Sequence, residues 1–203
     1  MADNTNICMF GIEKVGKSCF ISQVTPGDFT EDYMPTQQRS PVEYTVEVDG
    51  TTFHGNFQDE PGSSFTNTKT TTSTFGASGM IHLFVVAADN EGSMRFAERF
   101  VDEADYADFK NNEYLQVMIV TKKDLKAECF GDRPQAFATK VNGLSFTLDL
   151  QDKAAVDECF KAILKAYGDR KGYFGKGGKK AKAPKEGKGK EGAQQKKGGC
   201  TLL

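Results

Sequence analysis

The sequence predicts an α/β domain built on a mainly parallel sheet with helices on its faces. Apolar runs typical of buried parallel strands, such as residues 80–90 and 115–125, alternate with helical periodicity, as at residues 93–109. Polar motifs also follow three of the predicted strands, and ligands of α/β proteins bind at that edge of the sheet. We therefore expect one domain with a ligand site beyond the carboxyl ends of its strands.

Each predicted element has its own pattern. Residues 42–58 predict two strands around Asp49-Gly50, a dipeptide typical of hairpin turns. The stretch 61–79 is rich in Gly, Ser and Thr and lacks periodicity. The remaining predictions are a strand at 6–10, a loop and helix at 11–24, a helix at about 134–142, a strand at 144–150, and a terminal helix with the apolar face Val156, Phe160, Ile163, Leu164 and Tyr167.

Composition indicates a soluble globular protein. The chain is 38% hydrophobic and 27% charged, and its 203 residues are enough to form one domain that buries a hydrophobic core. The longest apolar run, residues 83–88, is far shorter than the roughly 20 residues of a membrane span, and the N-terminus has no secretory or transit pattern. Five cysteines without CxxC spacing predict reduced thiols, and two scattered histidines predict no metal cluster.

Residues 11–18 have the sequence GIEKVGKS, directly after the first predicted strand. A glycine followed by Gly-Lys-Ser at this spacing is typical of a phosphate-binding loop, in which backbone N–H groups and a helix N-terminus hold the β-phosphate. Lys17 would bind the β- and γ-phosphates, and the hydroxyl of Ser18 would coordinate Mg²⁺. A glycine-rich loop that is merely capped by serine is the alternative. The predicted nucleotide contacts here are Gly11, Glu13, Lys14, Val15, Gly16, Lys17, Ser18 and Cys19.

Two further motifs follow predicted strands. Asp59, in the sequence DEPG, suits a carboxylate that contacts Mg²⁺ directly or through water, and Gly62 could donate its N–H to the γ-phosphate. In TKKD, at 121–124, the carboxylate of Asp124 could accept two hydrogen bonds from guanine, and the stem of Lys122 could cover the base. Each tetrapeptide is common, so it is their order along the chain that predicts a guanine-nucleotide site.

Four motifs in this order, GIEKVGKS, DYMPT at 32–36, DEPG and TKKD, resemble those of the Ras superfamily of small GTPases. The likeness runs from residue 6 to about 170 and continues in the C-terminal Cys-Thr-Leu-Leu. It implies the small G-protein fold of P-loop NTPases and a switch that binds GTP or GDP with Mg²⁺ and hydrolyses GTP. The subfamily stays open, because the threonine of TKKD is Rho-like while the length of the body is Ras-like.

The resemblance also implies roles for matching residues. Thr36 would place its hydroxyl on Mg²⁺ and its N–H on the γ-phosphate when GTP is bound. Residues 30–40 and 60–75 would be the switch segments that contact effectors, an exchange factor and an activating protein, with Met34, Gln37, Gln38 and Arg39 at the effector-reading positions. The other implied nucleotide contacts are Phe29, Tyr33, Thr121 and Leu150. In the resulting prediction the catalytic residues are Lys17, Thr36 and Gly62, and the metal ligands are Ser18, Thr36 and Asp59.

Four departures from the family pattern bear on the activity. Ser63 stands where most of the family has the glutamine that orients the attacking water. Glu13 stands where Ras has glycine, so a side chain should crowd an arginine finger, although it can point outward while the loop holds phosphate. Lys14 is unusual, and Asp149-Leu150-Gln151 replaces the usual Ser-Ala-Lys beside the guanine. We therefore expect competent nucleotide binding with slow hydrolysis that activating proteins accelerate poorly.

The C-terminal segment predicts attachment to a membrane. Residues 1–171 form the expected GTPase domain, and residues 172–203 are low-complexity sequence that predicts a disordered linker. Residues 173–203 contain nine lysines and two glutamates, a net charge of +7, so the rest of the chain carries −9. Cys200-Thr201-Leu202-Leu203 matches a prenylation signal whose final leucine favours geranylgeranyl. A lipid and a polybasic segment together predict attachment to an anionic cytoplasmic membrane face.

Other interpretations stay open. The tail could be a solubilising segment with an incidental cysteine, whereas nucleic-acid binding is not expected because aromatic residues do not alternate with the lysines. A non-hydrolysing pseudo-GTPase, locked with GTP or free of nucleotide, is favoured by Ser63, Glu13 and the altered last motif. A P-loop kinase fits the phosphate loop alone, but DEPG, TKKD and the lack of an arginine-rich lid argue against it.

Overall fold

The computed structural model describes residues 4–26, 35–38, 40–63, 80–103, 114–125 and 130–174. Its elements in chain order are β1 (Ile7–Phe10), α1 (Lys17–Val24), β2 (Ser40–Val48), β3 (Thr51–Asp59), β4 (Ile81–Ala87), α2 (Glu91–Glu103), β5 (Leu115–Thr121), α3 (Arg133–Lys140), β6 (Leu144–Thr147) and α4 (Lys153–Lys171). The predicted strands and helices all have counterparts among the described residues. Residues 104–109 of the helix predicted at 93–109 lie outside the described residues, as does most of the stretch 61–79.

The six strands form one sheet in the order β2-β3-β1-β4-β5-β6. Only the β2–β3 pair is antiparallel, and the other four pairs are parallel. The predicted α/β class with a mainly parallel sheet is therefore confirmed. Because β1, β3 and β5 run in the same direction, the three predicted nucleotide motifs follow them at one edge of the sheet.

The antiparallel pair is the predicted hairpin. Val48 pairs with Thr51, and the two residues between them have positive φ angles, 48° at Asp49 and 74° at Gly50. Such a turn matches the right-handed twist of the flanking strands. The hairpin places Asp59, at the end of β3, beside the sheet's central strand β1.

Helices cover both faces of the sheet. On one face α1 and α4 pack through Phe20, Phe160 and other apolar residues against β1 and β3. On the other face α2 and α3 supply Met94, Phe100 and Phe137 against β1 and β4. The apolar face predicted for the terminal helix is buried, with Val156, Phe160, Ile163, Leu164 and Tyr167 all at most 2% exposed. Continuous apolar strands such as β4 and β5 are buried along their whole length, as expected between two helical layers.

The last strand is shorter than predicted. It ends at Thr147 rather than at 150, because two aspartates turn the backbone toward α4. Asp149 accepts a hydrogen bond from the N–H of Gln151 at 2.9 Å, and Asp152 caps α4 by accepting from the N–H of Ala155 at 3.0 Å. Local side-chain bonds of this kind compete with strand pairing.

Tyr173 and Phe174, which composition assigns to the tail, pack against the domain. Both rings lie about 6 Å from that of Phe53 on β3, at centroid distances of 6.1 and 6.0 Å. The rest of the predicted tail, including Cys200, lies outside the described residues. Within the part that the structure describes, no helix is both long enough and apolar enough to cross a membrane.

Candidate functional site

The phosphate loop, residues 11–16, connects the central strand β1 to α1. Gly16 stands immediately before α1 with a φ of 93°, and a methyl group on it would come within 2.8 Å of Leu150 Cδ1. A glycine is therefore required here both by the backbone and by the close neighbour. The start of a helix presents backbone N–H groups that lack a carbonyl one turn earlier in the helix, so this position of the loop is one that favours an anion.

Lys17 is buried at the start of α1, with 6% of its surface exposed. Its ammonium donates to the carbonyl of Gly11 at 2.8 Å and to that of Ile12 at 3.0 Å. Burial lowers the pKa of Lys17 to about 8, and the carboxylates of Asp59, Glu13 and Glu60 oppose that shift. The loop thus holds a buried cation beside its own backbone, where a bound phosphate would accept from it.

The three predicted metal ligands come together at the other side of the loop. Ser18 Oγ donates to Asp59 Oδ2 at 2.8 Å, and Thr36 Oγ1 lies 3.2 Å from Ser18 Oγ and 3.4 Å from Asp59 Oδ2. They come from α1, from the segment before β2 and from the end of β3, so only the folded sheet unites them.

This cluster fits Mg²⁺. Its donors are two hydroxyls and a carboxylate, the hard oxygen ligands that Mg²⁺ prefers together with phosphate oxygens. Within the described part of the chain, Asp59 Oδ1 is buried without a hydrogen-bond partner, and burial raises the pKa of this carboxyl. A buried oxygen in that state has capacity left for a cation.

The predicted guanine end of the site follows β5. The Thr121 hydroxyl, fully buried, donates toward the carbonyl of Val15 at 2.7 Å and lies 3.2 Å from that of Val86. Lys122, with a φ of 56°, forms an ion pair with Asp89 at 2.9 Å. Thr121 therefore ties the phosphate loop to β4 and β5, while Lys122 is held at the surface of the same edge.

Asp124 and Leu150 differ in their surroundings. Asp124 is solvent-exposed in the turn after β5, where a base could reach it. Leu150 is buried and contacts Gly16 with its side chain, while its carbonyl accepts from Gln23 Nε2 at 2.6 Å. Of the other predicted contacts in the loop and in α1, Gly11 and Val15 are buried, Glu13 and Lys14 are exposed, and Cys19, on α1, is half-buried.

Several predicted residues lie outside the described residues. They are Phe29, Tyr33, Met34, Arg39, Cys200 and the part of the second switch segment beyond 63. Gln37, Gln38 and Ser63 are described and exposed. In the described ranges, no group of three or more His, Cys, Asp or Glu residues could hold a metal ion alone.

Glu60 is a site residue that sequence reasoning missed. It follows Asp59 directly, yet both are buried, with 4% of Glu60 exposed, because the strand ends at Asp59 and the chain then turns inward. The only sequence feature that could have indicated Glu60 is its position next to Asp59, which gives two adjacent carboxylates in DEPG. Only the fold reveals that both act electrostatically on Lys17.

Comparison of the sequence with known proteins identifies its family. The family model for the Ras family matches residues 6–168 of the chain. The chain is 27% identical over 157 residues to Ras-related protein Rab-1C of Dictyostelium discoideum, a match that covers 76% of each protein. It is 26% identical over 162 residues to GTP-binding protein YPTM1 of Zea mays, covering 79% of this chain and 76% of that protein. Because the family match spans the sheet, the phosphate loop and the segments after β3 and β5, the chain belongs to the Ras family of small GTPases.

Proposed function

We propose that this chain is a switch that binds GDP and GTP with Mg²⁺, hydrolyses GTP slowly and acts on a membrane surface. The observation that supports it most is the convergence of Ser18, Thr36 and Asp59 beside the buried Lys17. A phosphate chain on the loop would meet an ammonium on one side and three oxygen ligands for a cation on the other. Thr36 belongs to the first switch segment, so a bound cation would link that segment to the nucleotide.

Hydrolysis requires water to attack the γ-phosphorus while the bond to the oxygen bridging the β- and γ-phosphates breaks and GDP leaves. Lys17 would neutralise charge that develops on the phosphate oxygens, and the Gly62 N–H would donate to one of them. Mg²⁺, when bound, supplies further neutralisation of the phosphate charge. Ser18, Thr36 and Asp59 would hold it through their oxygens.

Two residues make the reaction slow. Ser63 is exposed and its hydroxyl is attached to Cβ, so it lacks the reach of the glutamine amide that orients water in relatives. Glu13 lies against Gly62, where its side chain would meet an arginine finger from an activating protein. Because such a finger contributes about 10³–10⁵ in rate, blocking it removes most of the stimulation.

The first experiment is to identify the nucleotide that co-purifies with the full chain and to titrate fluorescent GDP with and without Mg²⁺. Saturable, Mg²⁺-dependent binding is expected, with severe loss in Lys17→Ala and weakened Mg²⁺ dependence in Asp59→Asn. Lys161→Ala, an exposed lysine on α4, is the matched control and should bind like the wild type. Equal binding by Lys17→Ala and Lys161→Ala would contradict the proposal.

The second experiment separates a slow enzyme from a pseudo-GTPase. In single-turnover assays the wild type should cleave GTP slowly and Ser63→Gln faster. Co-purified GTP without turnover in either protein would instead indicate the non-hydrolysing alternative, which Ser63 and Glu13 also favour.

The membrane part of the proposal is supported by the sequence after residue 174. A geranylgeranyl chain on Cys200 together with nine lysines would anchor the protein to an anionic leaflet, each lysine contributing on the order of 1 kcal/mol. Prenylated wild type should sediment with phosphatidylserine vesicles more strongly than Cys200→Ser, which keeps the lysines but cannot carry the lipid. Equal sedimentation of the two proteins would refute lipid anchoring at this cysteine.

A further inference from the structure

The place where a γ-phosphate would lie is bordered by acidic groups. In the proposed function this phosphate sits between Lys17 and the N–H of Gly62. On one side, Asp59 ends β3 and Glu60 follows it, and both are buried; on the other side, Glu13 belongs to the phosphate loop. Asp59 has a use there, as a ligand of the cation, whereas Glu13 and Glu60 add negative charge that the proposed mechanism does not use.

Glu13 lies directly against Gly62. A methyl group built on Gly62 would come within 2.6 Å of both Cα and Cγ of Glu13, so the two residues are in van der Waals contact. The first carbons of the Glu13 side chain therefore run beside the backbone that would receive a γ-phosphate. Glu13 is exposed to solvent, and the base of its side chain lies against Gly62.

The charges in this region are unequal. Asp59 and Glu60 are adjacent in the chain and both buried, and Glu13 lies against Gly62. Three acidic residues therefore border the part of the site in which Lys17 is the buried cation, and each favours its protonated form. A diphosphate leaves the position next to Gly62 empty, whereas a triphosphate adds a further anionic group there.

We propose that Glu13 and Glu60 make this nucleotide site selective for the diphosphate, so that it binds GDP more tightly than GTP. The inference rests on the proposed function, because it assumes that the chain binds guanine nucleotides. Like charges separated by a few ångströms at the edge of a protein repel strongly enough to change affinity by about tenfold or more. Glu13 and the neighbouring loop cation Lys14 are both exposed, so solvent screens both charges, whereas Glu60 is buried and its charge is screened less.

The test compares affinities of the full chain for fluorescent GDP and for a fluorescent non-hydrolysable GTP analogue at one Mg²⁺ concentration. The wild type should prefer the diphosphate by at least about tenfold. Glu13→Gln should reduce the preference, and Glu13→Gln with Glu60→Gln should bring the two affinities within about threefold of each other. Glu43→Gln with Glu47→Gln, exposed residues of β2, changes the net charge equally and should keep the wild-type preference.

Several results would overturn the inference. Equal affinities of the wild type for both nucleotides would do so, as would a preference that Glu13→Gln leaves unchanged. Since Glu13 is exposed, its single variant stays informative even if replacing the buried Glu60 prevents folding. If the Glu43→Gln, Glu47→Gln control lost the preference for GDP as well, the preference would depend on net charge rather than on this site. Failure of every protein to bind either nucleotide would instead refute the proposed function, and this inference with it.

Discussion

Replacing Thr121 by valine removes one buried hydroxyl while keeping nearly the same shape. The hydroxyl hydrogen is directed to the carbonyl of Val15, 2.7 Å away and 106 residues earlier in the chain. Thr121 is fully buried and Val15 is 1% exposed, so water cannot replace the lost donor without opening the site. The perturbation is thus confined to the contacts of one hydroxyl with the phosphate loop and with the carbonyl of Val86 on β4, 3.2 Å away.

Leaving a buried carbonyl without its donor costs about 1–3 kcal/mol. The free energy of unfolding of the nucleotide-free protein should fall by that amount. Because the bond holds the loop in the shape that binds phosphate, nucleotide affinity should also fall, by about tenfold for each 1.4 kcal/mol that the loop must recover on binding.

Thr139→Val is the matched control. Its hydroxyl also donates to a backbone carbonyl, that of Gln135 at 2.9 Å, but on the exposed side of α3. Urea unfolding should show a loss below about 0.5 kcal/mol for Thr139→Val. Equal losses in the two variants, with unchanged dissociation of fluorescent GDP from Thr121→Val, would refute the idea that Thr121 positions the loop.

The other predictions concern pH, the core and the C-terminal packing. In the folded state the pKa of Lys17 is lowered to about 8, whereas the unfolded chain keeps the usual 10.5. Between these pH values the unfolded state binds more protons than the folded state. The free energy of unfolding of the nucleotide-free protein should therefore increase as pH rises from about 8 to 10.5. The gain should reach up to about 3 kcal/mol in urea titrations and be missing in Lys17→Met; a parallel gain in that variant would assign it to other groups. Phe160→Ala should lower the free energy of unfolding by about 3–5 kcal/mol, because its buried ring contacts the rings of Phe20, Phe57 and Tyr44. Leu125→Ala, at an exposed position, is the control and should change that free energy by less than about 0.5 kcal/mol. Phe174→Ala should lower the melting temperature without changing GDP affinity, because its ring packs on Phe53 away from the loop; loss of GDP affinity would show coupling between the two ends.

Local patterns predicted most of the fold. Asp49-Gly50 indicated the hairpin, and the continuous apolar run of β4 indicated a strand covered on both faces. The order of the motifs, together with the rule that parallel strands end at one edge, predicted that Ser18 and Asp59 would meet. These predictions succeeded because each depends on short-range periodicity or on a general rule of chain topology.

What escaped prediction depends on long-range contacts. Nothing around Thr121 indicates that its hydroxyl reaches Val15, and nothing in DEPG shows that Glu60 turns inward toward Lys17. Glycine inside a helix usually lowers its stability, so from sequence alone Gly168 is unfavourable in α4. A methyl group at this position would collide with the ring of Phe174, which explains the glycine. Such contacts depend on how distant segments are placed in three dimensions, which residue spacing along one segment does not reveal.

The position of β1 in the middle of the sheet has a consequence for biosynthesis. This strand leaves the ribosome before the other strands of the sheet, but its partners on either side arrive much later, since Ile7 pairs with Phe57 and with Ile81. The cover for Phe20 and Phe57 comes later still, with Phe160 on the last helix. A nascent chain stopped before residue 153 therefore presents bare aromatic surface, and we expect such chains to occupy holding chaperones until the terminal helix emerges.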